Sequence, residues 1–137
     1  VQALYEAKAT ATGSGRGGKV RSSDGILDTD LAIPTSLGGP GGATNPEQLF
    51  AAGYAACFHS ALQVVARQAK VRLTGSEVTA GVRLGAVDGG YGLAVTLEVS
   101  VPDLERATVD GLVAAAHQVC PYSNATRGNI DVDLVVV

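Results

Sequence analysis

Residues 45–70 read NPEQLFAAGYAACFHSALQVVARQAK, and this run sets the architecture of the chain. Asn45 is a good helix N-cap, Pro46 suits the first helical position, and Gln48 stands where a capping box wants it. No further Pro and a single Gly, Gly53, fall between there and about Lys70. The first sixteen helical residues after Pro46 are apolar on almost every side, which predicts a buried central helix rather than a surface one. Polarity returns at Arg67, Gln68 and Lys70, where cations complement a helix C-terminus.

The flanking segments read mostly as strands. Upstream, QALYEAKATAT (2–12) alternates and predicts a strand. A Gly-rich turn, GSGRGGK (13–19), precedes two short strands around Asp24-Gly25, and residues 34–45 are a loop by composition. Downstream, SEVTAGVRLGAV and YGLAVTLEVSVP alternate about Asp88-Gly89-Gly90, a strong hairpin signal. Pro102-Asp103 opens a second helix that runs to Val119 or Cys120. A loop, PYSNATRGN, then leads to a last strand, IDVDLVVV. Strands, long helix, hairpin, helix and strand over 1–137 predict a single α+β domain.

Composition narrows the function classes. The chain has 137 residues, ten Lys+Arg and thirteen Asp+Glu, a net charge of −3, and 46% hydrophobic residues. A mildly acidic chain without a basic block is a poor nucleic-acid binder. Two cysteines are too few for a disulfide scaffold or a Cys-rich metal site. Without an 18-residue apolar run or a visible leader, the expectation is a soluble, cytoplasmic protein with no membrane partner. The apolar content is small, with 21 Ala and 18 Val beside two Phe and no Trp. Such a core buries little area per residue, which points weakly toward an oligomer.

Gly13-x-Gly15-x-x-Gly18 spells a dinucleotide fingerprint, but KVRSSDG follows it where the phosphate-holding helix should begin. Asn124-Ala125-Thr126 is a glycosylation sequon by spelling only.

The chemistry therefore rests on Cys57, in the helix, and Cys120, beside Pro121. A buried free cysteine is most often an inert small hydrophobe. Phe50, Tyr54 and Cys57 fall at i, i+4 and i+7 with Phe58 adjacent, which suits either a core stripe or an aromatic-walled substrate pocket. His117 and Cys120 stand at i and i+3, but two ligands do not make a metal site, so no metal is expected. A reactive Cys57 needs a cation brought to it, since it lies three turns into its helix. Arg16, in the Gly-flanked turn, is the residue to test, its alternative being a solvated turn side chain.

Two blocks, GATNPEQLFAAGYAACFHSAL and AHQVCPYSNATRGNIDV, strongly resemble the organic hydroperoxide resistance proteins of the wider Ohr/OsmC group. The segments ATATGSGRGGKVRSSDGILD and LAIPTSLGGPGG fit the same pattern, so the resemblance covers almost the whole chain. It implies an OsmC-like α+β fold, antiparallel sheets packed around a long buried central helix, and an intertwined homodimer. It also implies a thiol peroxidase. Cys57 matches the peroxidatic cysteine, Cys120 the resolving one, Arg16 the arginine that steadies the thiolate, and Glu47 its carboxylate partner. The implied substrate is an alkyl or fatty-acyl hydroperoxide and the implied reductant a protein-bound lipoyl dithiol. No metal, flavin or haem is called for. The chain departs from the family pattern after Arg16, where Gly17 stands in place of a frequent acidic residue.

Glu47 and Cys57 are ten residues apart, about 15 Å along a continuous helix and off the same face. A Glu47–Arg16 pair that serves Cys57 is therefore expected from a second subunit across a two-fold axis. Two other classes compete with the enzyme: a carrier of small apolar molecules with inert thiols, and a redox sensor.

Overall fold

A computed structural model describes all 137 residues. They form two compact units, Val1–Leu49 and Phe50–Val137.

The first unit is a three-stranded antiparallel meander, β1 (Ala9–Thr12), β2 (Lys19–Ser22) and β3 (Asp28–Asp30). The first strand is much shorter than the 2–12 expected. β2 has only four residues to pair, and beyond Ser22 a single bond from the Ser23 N–H to the Lys8 carbonyl continues the contact. β2 then turns at the predicted Asp24-Gly25, where Asp24 accepts from the Ser22 hydroxyl and the Ile26 N–H and Gly25 takes a positive φ of 75°. The loop before the helix folds back on itself, its Gly41 N–H reaching the Ile33 carbonyl.

The long helix α1 (Pro46–Gln68) opens at the end of this unit as its capping signals predict. Asn45 Oδ1 accepts the Gln48 N–H at 2.9 Å, while the Gln48 side chain turns to the Thr44 hydroxyl instead of closing the capping box.

The second unit holds the main core. β4 (Glu77–Val87) and β5 (Gly90–Ser100) form an eleven-residue hairpin about Asp88-Gly89. α2 (Arg106–Val119) starts about one turn later than Pro102-Asp103 suggested. The expected PYSNATRGN loop instead contains a short helix, α3 (Pro121–Thr126), with Pro121 at its first position. β6 (Val132–Val136) then pairs parallel to β5, so this sheet is mixed rather than wholly antiparallel. The reason is topological: the α2–α3 passage is long enough to carry the chain back to the start of β5.

α1, β5 and α2 meet in one core. Tyr54, Phe58 and Leu62 of α1 are fully buried with Val95, Leu97 and Val99 of β5 and Ala116 of α2, and Val132, Leu134 and Val136 of β6 pack against them. The period of two along β6 leaves Asp131, Asp133 and Val135 outside. α1 has the length and apolar content of a membrane-spanning helix, yet it serves as the core helix of this unit. Its burial is one-sided within a single chain: Ala52, Ala56, Ser60, Gln63 and Val64 are exposed. The expectation of all-round burial overlooked how many of those apolar residues are alanines, which cost little in water.

Candidate functional site

Arg16 sits in a 3-10 turn, Gly15–Gly17, between β1 and β2. The turn needs its glycines: Gly13 and Gly15 have positive φ, and a Cβ on Gly18 would collide with the Thr12 carbonyl oxygen. The Arg16 guanidinium meets the Glu47 carboxylate bidentately, Nη1 to Oε2 at 2.8 Å and Nη2 to Oε1 at 2.6 Å. Glu47 lies in the first turn of α1, where the helix dipole also favours negative charge. Its hydrogen bonds from Arg16 hold the carboxyl below its ordinary pKa against the opposing effect of burial. The same pairing pushes the guanidinium further into its charged range.

The second unit holds the thiols. Cys57 comes from the edge of the buried face of α1, and Cys120 is the fully buried junction residue between α2 and α3. The Cys120 thiol points at the Cys57 sulfur across 3.5 Å. Burial raises the Cys57 pKa above its ordinary value, and the neighbouring Cys120 adds to this. The Tyr122 backbone N–H, one of the free donors in the first turn of α3, acts in the opposite direction. Within its own unit, then, no cation stabilises the Cys57 thiolate.

A cavity of about 350 Å³ opens at Cys57, lined by Ser60, Ala61, Val64, Val119 and Pro121. The three aromatic residues considered for a pocket are elsewhere. Tyr54 and Phe58 are fully buried core side chains. Phe50 lines a separate cavity of about 620 Å³ beside Tyr91, Leu93 and Ile130. Phe50, Tyr54 and Tyr122 do cluster edge to face, with centroids 5.6–6.2 Å apart.

Neither histidine joins Cys57. The ring of His59 is taken by Ser76 at 2.9 Å, and His117 Nδ1 by Ser123 Oγ at 2.8 Å. No three His, Cys, Asp or Glu residues gather in one place. The sequence reading missed α3 and with it the Tyr122 N–H and the buried hydroxyls of Ser123 and Thr126. The signals were present in Pro121 and in Gly128, which takes a positive φ of 77° two residues past the helix end.

Comparison with known proteins matches residues 39–135 to the family described as OsmC-like protein. The chain is also 56% identical over 135 residues to an organic hydroperoxide resistance protein of Xanthomonas axonopodis pv. citri, covering 97% of this chain and 94% of the relative. This chain belongs to the OsmC-like family, on its organic hydroperoxide resistance branch. Among solved structures, the branch member from Legionella pneumophila superimposes with a TM-score of 0.93 at 51% identity and covers 98% of both chains. OhrB of Bacillus subtilis gives a TM-score of 0.90 at 49% identity, covering 98% of this chain and all of the other. The OsmC-like fold, its two sheets and its long helix are thus those the family resemblance implied.

Proposed function

We propose that this OsmC-like protein is a thiol-dependent peroxidase that reduces organic hydroperoxides, either alkyl or fatty-acyl, to alcohols. The observation that carries this reading is the 3.5 Å approach of the Cys120 thiol to Cys57. The names of its relatives support the same substrate class.

Cys57 is the peroxidatic residue. Its sulfur attacks the distal oxygen of ROOH, the O–O bond breaks, the alcohol leaves with a proton, and Cys57 becomes a sulfenic acid. Cys120 is the resolving residue: its sulfur displaces the sulfenic hydroxyl as water and forms a Cys57–Cys120 disulfide. An external dithiol, a lipoyl group on a protein partner, then exchanges through a mixed disulfide, returning both thiols and leaving oxidised. The cycle needs no bound cofactor or metal. The apolar side of the cavity, Ala61, Val64, Val119 and Pro121, suits an alkyl chain better than a small polar peroxide.

Arg16 and Glu47 are assigned to thiolate stabilisation. Because Glu47 and Cys57 stand ten residues apart on one helix, the pair that serves each thiol is assigned to the partner subunit of a two-fold homodimer. The exposed small-residue face of α1, Ala52, Ala56 and Ser60, would allow close subunit approach. The site of action is assigned to the cytoplasm, where a reducing pool keeps both thiols free.

The deciding assay follows cumene hydroperoxide loss with lipoyl dithiol or thioredoxin as donor. Dithiol-dependent turnover that disappears in Cys57→Ser is expected, with the lipoyl donor the faster. Full activity in Cys57→Ser refutes a peroxidase built on Cys57, and no turnover by the parent leaves a carrier with inert thiols.

A further inference from the structure

α3 has only six residues, too few to be stable by its own backbone bonds, yet it carries the Tyr122 amide and starts at Cys120. Something else must hold it. Ser123, in its first turn, is fully buried and is gripped from two directions. Its Oγ lies 2.9 Å from the Tyr54 hydroxyl on α1 and 2.8 Å from His117 Nδ1 on α2. The Tyr54 hydroxyl also meets Thr126 Oγ1 at 3.0 Å, and the Thr126 hydroxyl donates to the Ser123 carbonyl at 3.2 Å. No buried side-chain polar atom in the chain lacks a partner. Satisfied buried networks of this kind hold their members to one geometry, because any displacement strands a desolvated polar group.

The three helices tied together by Ser123 are those that carry the thiols: α1 bears Cys57, and Cys120 ends α2 and begins α3. We propose that Ser123 is a positioning residue for disulfide formation: held by Tyr54 and His117, it aims the Cys120 thiol at Cys57. This rests on the peroxidase reading above. The sulfurs must close from 3.5 Å to about 2.05 Å for the bond to form, so a loose α3 affects the second step of the cycle. The attack of Cys57 on peroxide does not use α3's alignment to that degree. Removing the Ser123 hydroxyl should therefore separate two steps that a general loss of stability would slow together.

The test is a single-turnover experiment on reduced Ser123→Ala and parent protein, each mixed with one equivalent of cumene hydroperoxide. Peroxide loss reports the first step. Acid-quenched samples, alkylated and weighed by mass spectrometry after trapping of sulfenic acid by dimedone, report the second. The expected result is peroxide loss within about threefold of the parent, with disulfide formation slowed about tenfold or more. Trapped Cys57 sulfenic acid should accumulate. Disulfide formation at the parental rate, or both steps slowed by the same factor, overturns the proposal. Should Ser123→Ala not fold, His117→Ala, which removes the Nδ1 partner of the same hydroxyl from the half-exposed side, is judged by the same two rates. A parent protein that forms neither sulfenic acid nor disulfide refutes the peroxidase reading itself, an outcome distinct from failure of the Ser123 assignment.

Discussion

The Arg16 guanidinium and the Glu47 carboxylate form a fork of two parallel hydrogen bonds, 2.8 and 2.6 Å long, between a glycine-bounded turn and the first turn of α1. Such a pair fixes the plane of the guanidinium as well as its charge. Lysine at position 16 would keep the charge and lose the plane.

Arg16→Ala should move the alkylation pH profile of Cys57 to higher pH by about one unit, equivalent to about 1.4 kcal/mol of lost thiolate stabilisation. Burial already pushes the thiol up, and on the proposed assignment the loss of Arg16 leaves only the Tyr122 N–H to oppose it. Iodoacetamide labelling rates across pH 5–10 give the measurement. An unshifted curve would return Arg16 to the status of a turn residue.

The same pair makes a pH-dependent contribution to stability. Glu47 has a folded pKa below its unfolded value of about 4.5, so the stabilisation is complete above that pH and disappears as pH falls through the folded pKa. Because Arg16 is 41% exposed, solvent screening limits the pair to about 0.5–1 kcal/mol. Urea unfolding should show Glu47→Gln weaker than the parent by that amount at pH 7, with the gap closing toward pH 3. A gap equal at both pH values would assign the effect to something other than ionisation.

Gly53 is the one glycine inside α1, and a Cβ there would lie 2.8 Å from the Tyr122 hydroxyl and 3.2 Å from its ring. Gly53→Ala alone should therefore gain no stability, since the Tyr122 ring must move. In a Tyr122→Ala background the same change should stabilise by up to about 1 kcal/mol, the ordinary helix preference for alanine. Thermal melts of the four proteins of this cycle decide it; equal gains in both backgrounds would dismiss the ring contact.

Phe58 and Val119 separate packing from substrate contact. Phe58→Ala should cost about 3–5 kcal/mol of stability, as for other fully buried aromatics. Val119→Ser, at a half-exposed position lining the Cys57 cavity, should change stability by about 0.5 kcal/mol or less while raising KM for cumene hydroperoxide. An unaltered KM would remove that wall of the cavity from the substrate's path.

Local chemistry made the main elements legible in the sequence. Asn45-Pro46 and Asp88-Gly89 each carry their reason in adjacent residues, and both hold in the structure. The parallel docking of β6 and the orientation of α3 depend on partners far along the chain, Val95–Val99 and Tyr54, which no local pattern names. The same limit explains the aromatic triplet. Spacing placed Phe50, Tyr54 and Phe58 near Cys57 along the helix, but only packing shows that Tyr54 and Phe58 are core side chains while Val119 and Pro121 line the sulfur's cavity. The pairing of Arg16 with Glu47 was legible through family resemblance, and the Ser123 hydroxyl was not legible at all, because a buried serine looks like any other in a loop-like stretch.

The separation of 63 positions from Cys57 to Cys120 gives the thiol pair a thermodynamic side. A bond between the sulfurs would close that span into a ring and remove chain entropy from the unfolded state, worth about 4 kcal/mol on a loop-closure model. Oxidation would then make the fold harder to melt. By linkage, every kcal/mol the fold gains from the ring also favours the oxidised form, and the reductant must work against it. Redox state would be readable as a melting temperature, without any assay of turnover.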